Sequence, residues 1–94
     1  MNIGIIGDEL FDNEELFEKV LSSESITSIA HDTKGRFNNV ISRFIGRHHY
    51  PSCSLKNVDK VLVFYGGTDT RLIDRMKSAQ NKGYKIKLIK YNLI

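Results

Sequence analysis

The stretch Val58-Asp59-Lys60-Val61-Leu62-Val63-Phe64-Tyr65-Gly66-Gly67-Thr68-Asp69-Thr70 decides the fold. Its apolar run Val61-Leu62-Val63-Phe64 has no polar alternation, as a strand covered on both faces requires, and Gly66-Gly67 ends it. Directly beyond, Leu72, Ile73, Met76 and Ala79 recur at helical spacing up to Gly83, a residue suited to the position after a helix end. The segment Tyr84 to Tyr91 then reads as a last strand. Its lysines, Lys85, Lys87 and, less regularly, Lys90, suit a sheet edge that must resist unwanted pairing.

The same alternation extends toward the N-terminus. Asn2 to Ile6 is β-rich and ends at Gly7. Asp12 or Asn13 can cap the next helix, with Asp12 and Glu15 spaced as a capping box, and Leu16, Phe17, Val20 and Leu21 form its apolar stripe. Ile26 to Ala30 is a second short strand. After His31-Asp32-Thr33-Lys34-Gly35, the residues Phe37, Val40, Ile41, Phe44 and Ile45 mark a second helix, loosened at Gly46 and stopped by Pro51. Tyr50 to Asn57 is the least regular part. The order β-α-β-α-β-α-β predicts an α/β domain, a small Rossmann-like three-layer sandwich around a parallel four-stranded sheet.

Composition bounds the rest. The 94 residues, 40% hydrophobic and 27% charged, suit one globular domain over 1–94. A lone cysteine, Cys53, and the absence of a signal-like or bilayer-length apolar run predict a cytoplasmic protein with no membrane association. A net charge of +3 permits nucleic-acid binding without requiring it.

In parallel sheets, ligands bind beyond the carboxyl ends of the strands, so the turns after Ile6, Ala30 and Tyr65 carry the functional argument. Gly66 and Gly67 let a backbone approach a ligand, and the helix start beyond them offers N–H groups to an anion. Thr68 and Thr70 add hydroxyls, while Asp69 is either a site residue or a helix cap. Gly7, Asp8 and Glu9 form a strand-ending turn whose two acids suit a ribose hydroxyl or simply solvent, and no GxGxxG fingerprint follows. Arg36, Arg43 and Arg47 share one face of the second helix, either as a phosphate-binding surface or as the solvated side of an amphipathic helix. His48, His49 and Cys53, with His31 or Asp32, match no standard metal spacing, and nothing marks Cys53 as an activated nucleophile. No metal and no cofactor is expected.

Residues 58–70 also resemble the second signature of the SLOG superfamily, in which a strand ends in glycines and a Gly-Thr opens the next helix. Ile3 to Phe11 resembles that family's first strand and turn, and Ser28 to Phe44, centred on Lys34-Gly35-Arg36, its glycine-rich turn into a helix. The resemblance covers nearly the whole chain and is closest in the last third. The chain departs from the pattern at His31-Asp32-Thr33, where glycines are expected, at Phe37, near the usual acidic position, and at Asp69, which replaces a glycine.

The resemblance implies a nucleotide or nucleotide-derived ligand above the sheet, held by Gly66, Gly67, Thr68, Asp69 and Thr70. Gly7 and Asp8 would form the opposite wall, with Lys34, Gly35 and Arg36 nearby. LOG-type phosphoribohydrolases of the superfamily use a glutamate shortly after the Gly-Thr. Here Arg71-Leu72-Ile73-Asp74 follow, so the reading leans away from catalysis. A sensor or sequestering module is expected, of the kind a phage or mobile element carries, and a homodimer with it. The alternatives are a protein-interaction module that kept the fold without the pocket, and a nucleic-acid binder using the arginine face.

Overall fold

The computed structural model describes residues 1–67 and 70–91. Among them run β1 (Asn2–Gly7), α1 (Glu14–Ser22), β2 (Ser28–His31), α2 (Gly35–His48), β3 (Lys60–Tyr65), α3 (Thr70–Asn81) and β4 (Lys85–Lys90), with a 3-10 turn at Leu55–Asn57. The strands form one parallel sheet in the order β2-β1-β3-β4, an α/β, Rossmann-like arrangement. Local boundaries depart slightly from expectation. Asn13, not Asp12, caps α1, its side-chain oxygen accepting from the Leu16 N–H at 3.0 Å. The second strand starts at Ser28, and α2 runs through Gly46 to His48 before His49 turns left-handed.

Strand alternation divides the core in two. Ile3, Ile5, Ile29, Leu62, Phe64 and Ile89 point to one face, where Phe17 and Leu21 of α1 and Phe37, Val40, Ile41 and Phe44 of α2 cover them. Ile6, Ala30, Val61 and Val63 point to the other face, where Leu72 of α3 and Val58 join them. The molecule is therefore three-layered, with two helices on one side and one on the other.

This division raises a question of handedness that the Tyr50 to Asn57 stretch answers. Moving from β2 to β3 by way of α2 alone would reverse the hand of the other two crossovers. Instead the chain leaves α2 and runs alongside the outer edge of β2. Ser52 bridges Ile29 in parallel, with the Ile29 N–H donating to the Pro51 carbonyl and the Cys53 N–H to the Ile29 carbonyl, both at 3.0 Å. Residues 51–53 thus act as a rudimentary outermost strand. The chain then returns across the opposite face, where Leu55 and Val58 side chains fill the space over Gly4. Counted this way, the α1 and α2 crossovers step one way on one face, and α3 steps the other way on the other face. All three share one hand, as parallel βαβ units do.

Candidate functional site

The reversal of stepping direction lies between β1 and β3, which is where an open α/β sheet leaves a crevice at its carboxyl edge. A cleft of about 280 Å³ occupies that position. Gly7 and Glu9 of the β1–α1 loop form one wall, and Asp32, Thr33 and Lys34 of the β2–α2 loop form another. Arg71, Leu72 and Arg75, from the first two turns of α3, close the third side.

Backbone packing fixes these walls. Gly7 is tightly enclosed, since a Cβ there would lie 2.1 Å from Cε2 of the buried Phe37 ring and the ring would have to shift. Gly35 has φ +67°, and a Cβ on it would sit 3.0 Å from the Glu9 carbonyl oxygen. The same carbonyl accepts from the Phe37 N–H at 3.3 Å, so the first turn of α2 is partly satisfied by the β1–α1 loop. Asp8 is buried and builds this loop: its N–H donates to the Phe64 carbonyl, and its side chain accepts from the Leu10 N–H at 2.9 Å.

The electrostatics of the cleft are mixed and net positive. Lys34, Arg71 and Arg75 face two acids, Glu9 and Asp32. Arg75 and Asp32 join the α3 wall to the β2 loop, one guanidinium nitrogen reaching both carboxylate oxygens at 2.8 Å. Below Thr33, the half-buried ring of His31 hydrogen-bonds the Thr33 hydroxyl at 3.1 Å. Burial lowers the His31 pKa.

Of the residues expected from the sequence, Gly7 and Lys34 line this cleft. Asp8 and Gly35 shape its walls from behind. Arg36 turns away to pair with Asp12 at 3.5 Å. Gly66 and Gly67 follow β3 but are not among the described lining residues, and Thr70 opens α3 on its exposed side. Thr68 and Asp69 lie outside the described residues. Asp74, the first acid after Thr70, is exposed and is likewise absent from the described lining. Arg71, Leu72 and Arg75, which also line the cleft, are not among the residues expected there from the sequence. The signal for the arginines was present: Arg71 and Arg75 are four apart in the helix that leaves the strongest strand, hence on one face of its first two turns.

The arginine face of α2 has a different role. Arg43 pairs with Glu14, Arg47 with Glu18 at 3.0 Å, and His48 with Glu18 at 3.0 Å, so α1 and α2 are linked acid to base along their length. The hydrogen bond from His48 lowers the Glu18 pKa. Cys53 is half-buried against the opposite core. Among the described residues no group of three or more His, Cys, Asp and Glu side chains could hold a metal ion, and no helix is long and apolar enough to cross a membrane. Comparison with family models, curated proteins and solved structures yields no match.

Proposed function

We propose that the chain is a binding module for a small phosphate-bearing ligand, a nucleotide or nucleotide derivative, held in the cleft between β1 and β3. The observation that carries this reading is a crevice at the carboxyl edge of the sheet lined by Lys34 and Arg71, and by Arg75 in its pair with Asp32. The first turn of α3 adds the partial positive charge of its N-terminus to the same wall. At about 280 Å³ the cleft is at the lower end of ligand sites, which suits one nucleotide rather than two. The SLOG resemblance of residues 58–70 supports the same ligand class by analogy.

Lys34 is the residue to test, because it is exposed and lines the cleft without packing the core. A thermal-shift screen of mononucleotides, cyclic nucleotides and ADP-ribose should give one class that stabilises the protein. Ligand at about 100 times its dissociation constant contributes about 2.7 kcal/mol, or several degrees. Lys34→Glu should keep the unliganded melting temperature and lose the shift. No shift across the panel, or a shift untouched by Lys34→Glu, would overturn the proposal.

A second reading, a module docking on a protein or on a second copy of itself, is favoured by the exposed side chains of Leu10 and of Leu88 on the edge strand. Light scattering of the purified chain separates these outcomes: a dimer supports self-association, and a monomer with no nucleotide shift leaves a different protein partner.

A further inference from the structure

The face of the sheet under α3 contains a second cavity, of about 260 Å³, between α3 and the 3-10 turn at Leu55–Asn57. Its lining is mostly apolar, from Ile6 and Val61 of the sheet, Leu55, Ala79 and the ring of Tyr84, with Ser78 and Arg75 of α3 adding polar groups. The Tyr84 hydroxyl donates to the Lys56 carbonyl at 3.2 Å, which ties the 3-10 turn to the start of β4 and holds this wall in place. Two exposed lysines, Lys56 and Lys82, also line it. No acidic residue belongs to the described lining.

A mostly apolar chamber lined also by two exposed lysines is complementary to one ligand shape. We propose that this cavity binds a small amphiphilic carboxylate, a single ring or short aliphatic chain ending in one carboxyl group. The carbon body lies over Ile6, Val61 and Ala79, away from water. The carboxylate stays toward solvent, where Lys56 and Lys82 reach it while their stems cover the apolar rim. This site is separate from the cleft at the carboxyl edge; Arg75 is the wall they share, and its pairing with Asp32 leaves the two lysines as the cavity's own charges.

The test is an NMR titration of the full chain with octanoate and, separately, with octanol. Octanoate should produce saturable amide shifts centred on Ile6, Val61 and Ala79. A Lys56→Gln/Lys82→Gln variant should bind octanoate about three- to tenfold more weakly and octanol unchanged, since each exposed ion pair is worth up to about a factor of five. Ala79→Trp, which fills the chamber, should abolish both. The lysine variant keeps part of each stem and alters no buried side chain, so it keeps the test valid if Ala79→Trp fails to fold. Absence of saturable shifts at these residues would overturn the proposal, as would equal binding of octanoate by wild type and lysine variant.

Discussion

On the sheet face under α1 and α2, aromatic rings fill the space. Phe64 lies 5.4 Å from Phe17 and 5.3 Å from Phe37, ring centre to ring centre, and Phe11 lies 4.9 Å from Phe37. On the other face a single helix rests on smaller side chains, and Leu72 is its one fully buried residue among those described. The cavity of about 260 Å³ lies on this second face. The difference arises in sequence: five phenylalanines fall in or between the elements of the first face, and none falls in α3.

The largest expected effect tests this contrast directly. Phe64→Ala should destabilise by about 3–5 kcal/mol, because its neighbours are interlocked and cannot collapse into the gap. In a domain this small that approaches the whole stability. Leu72→Ala should cost nearer 2 kcal/mol, since α3 already borders open space and can settle. Urea titrations of both variants measure the difference, and equal losses would break the comparison.

Gly7→Ala sharpens it at the boundary between the fold and the cleft. The new methyl must displace Phe37, so a loss of about 1–3 kcal/mol is expected. Gly46, in α2, has nothing within 4 Å of a built Cβ, and Gly46→Ala should instead stabilise by about 0.5–1 kcal/mol. Opposite signs for two glycine-to-alanine changes would confirm that the phenylalanine layer tolerates no added atom.

At the amino edge of the sheet, Glu24 exposes only 6% of its side chain and accepts from Lys60 at 2.9 Å, with Lys87 at 3.6 Å. The Lys60 hydrogen bond holds its pKa below the ordinary value of 4.5. A lowered folded-state pKa contributes stability that is present above the unfolded value and is lost as pH falls through the folded one. Glu24→Gln should therefore cost about 2 kcal/mol at pH 7, and the gap to wild type should close as pH is lowered below about 4.5. Melting temperatures of both proteins between pH 3 and about pH 7 provide the check.

Much of this architecture was legible in the sequence because each signal was local. The unbroken run Val61–Phe64 demanded a doubly covered strand, and the stripe Phe37, Val40, Ile41, Phe44 demanded a helix on a large apolar face. The rudimentary strand at 51–53 was not legible, since one bridge at Ser52 and a proline that contributes only its carbonyl leave no periodicity. Gly7 and Lys34, expected from their turns, both line the described cleft. Arg36 pairs with Asp12, a partner supplied by the tertiary fold and invisible to spacing. The glycines after β3 attracted attention as a ligand turn, yet the described cleft draws instead on the side chains one turn further along α3.

The smallest expected effect concerns the arginines of α2, and it separates two uses of the same charges. Arg43 and Arg47 are half-exposed and pair with Glu14 and Glu18, so each pair should contribute less than about 1 kcal/mol in a double-mutant cycle. Most of that should disappear in 1 M salt, where the screening length falls to about 3 Å. A nucleic acid approaching this face would have to displace three acids, Asp12, Glu14 and Glu18, before gaining any phosphate contact. Releasing those acids should therefore help it: Glu14→Gln/Glu18→Gln would strengthen binding to duplex DNA and steepen its salt dependence by up to about 0.9 per freed arginine if the arginines serve phosphates. If the ladder instead serves only to join α1 to α2, the same variant loses a little stability and gains no affinity, which is the outcome expected from a face whose work is structural.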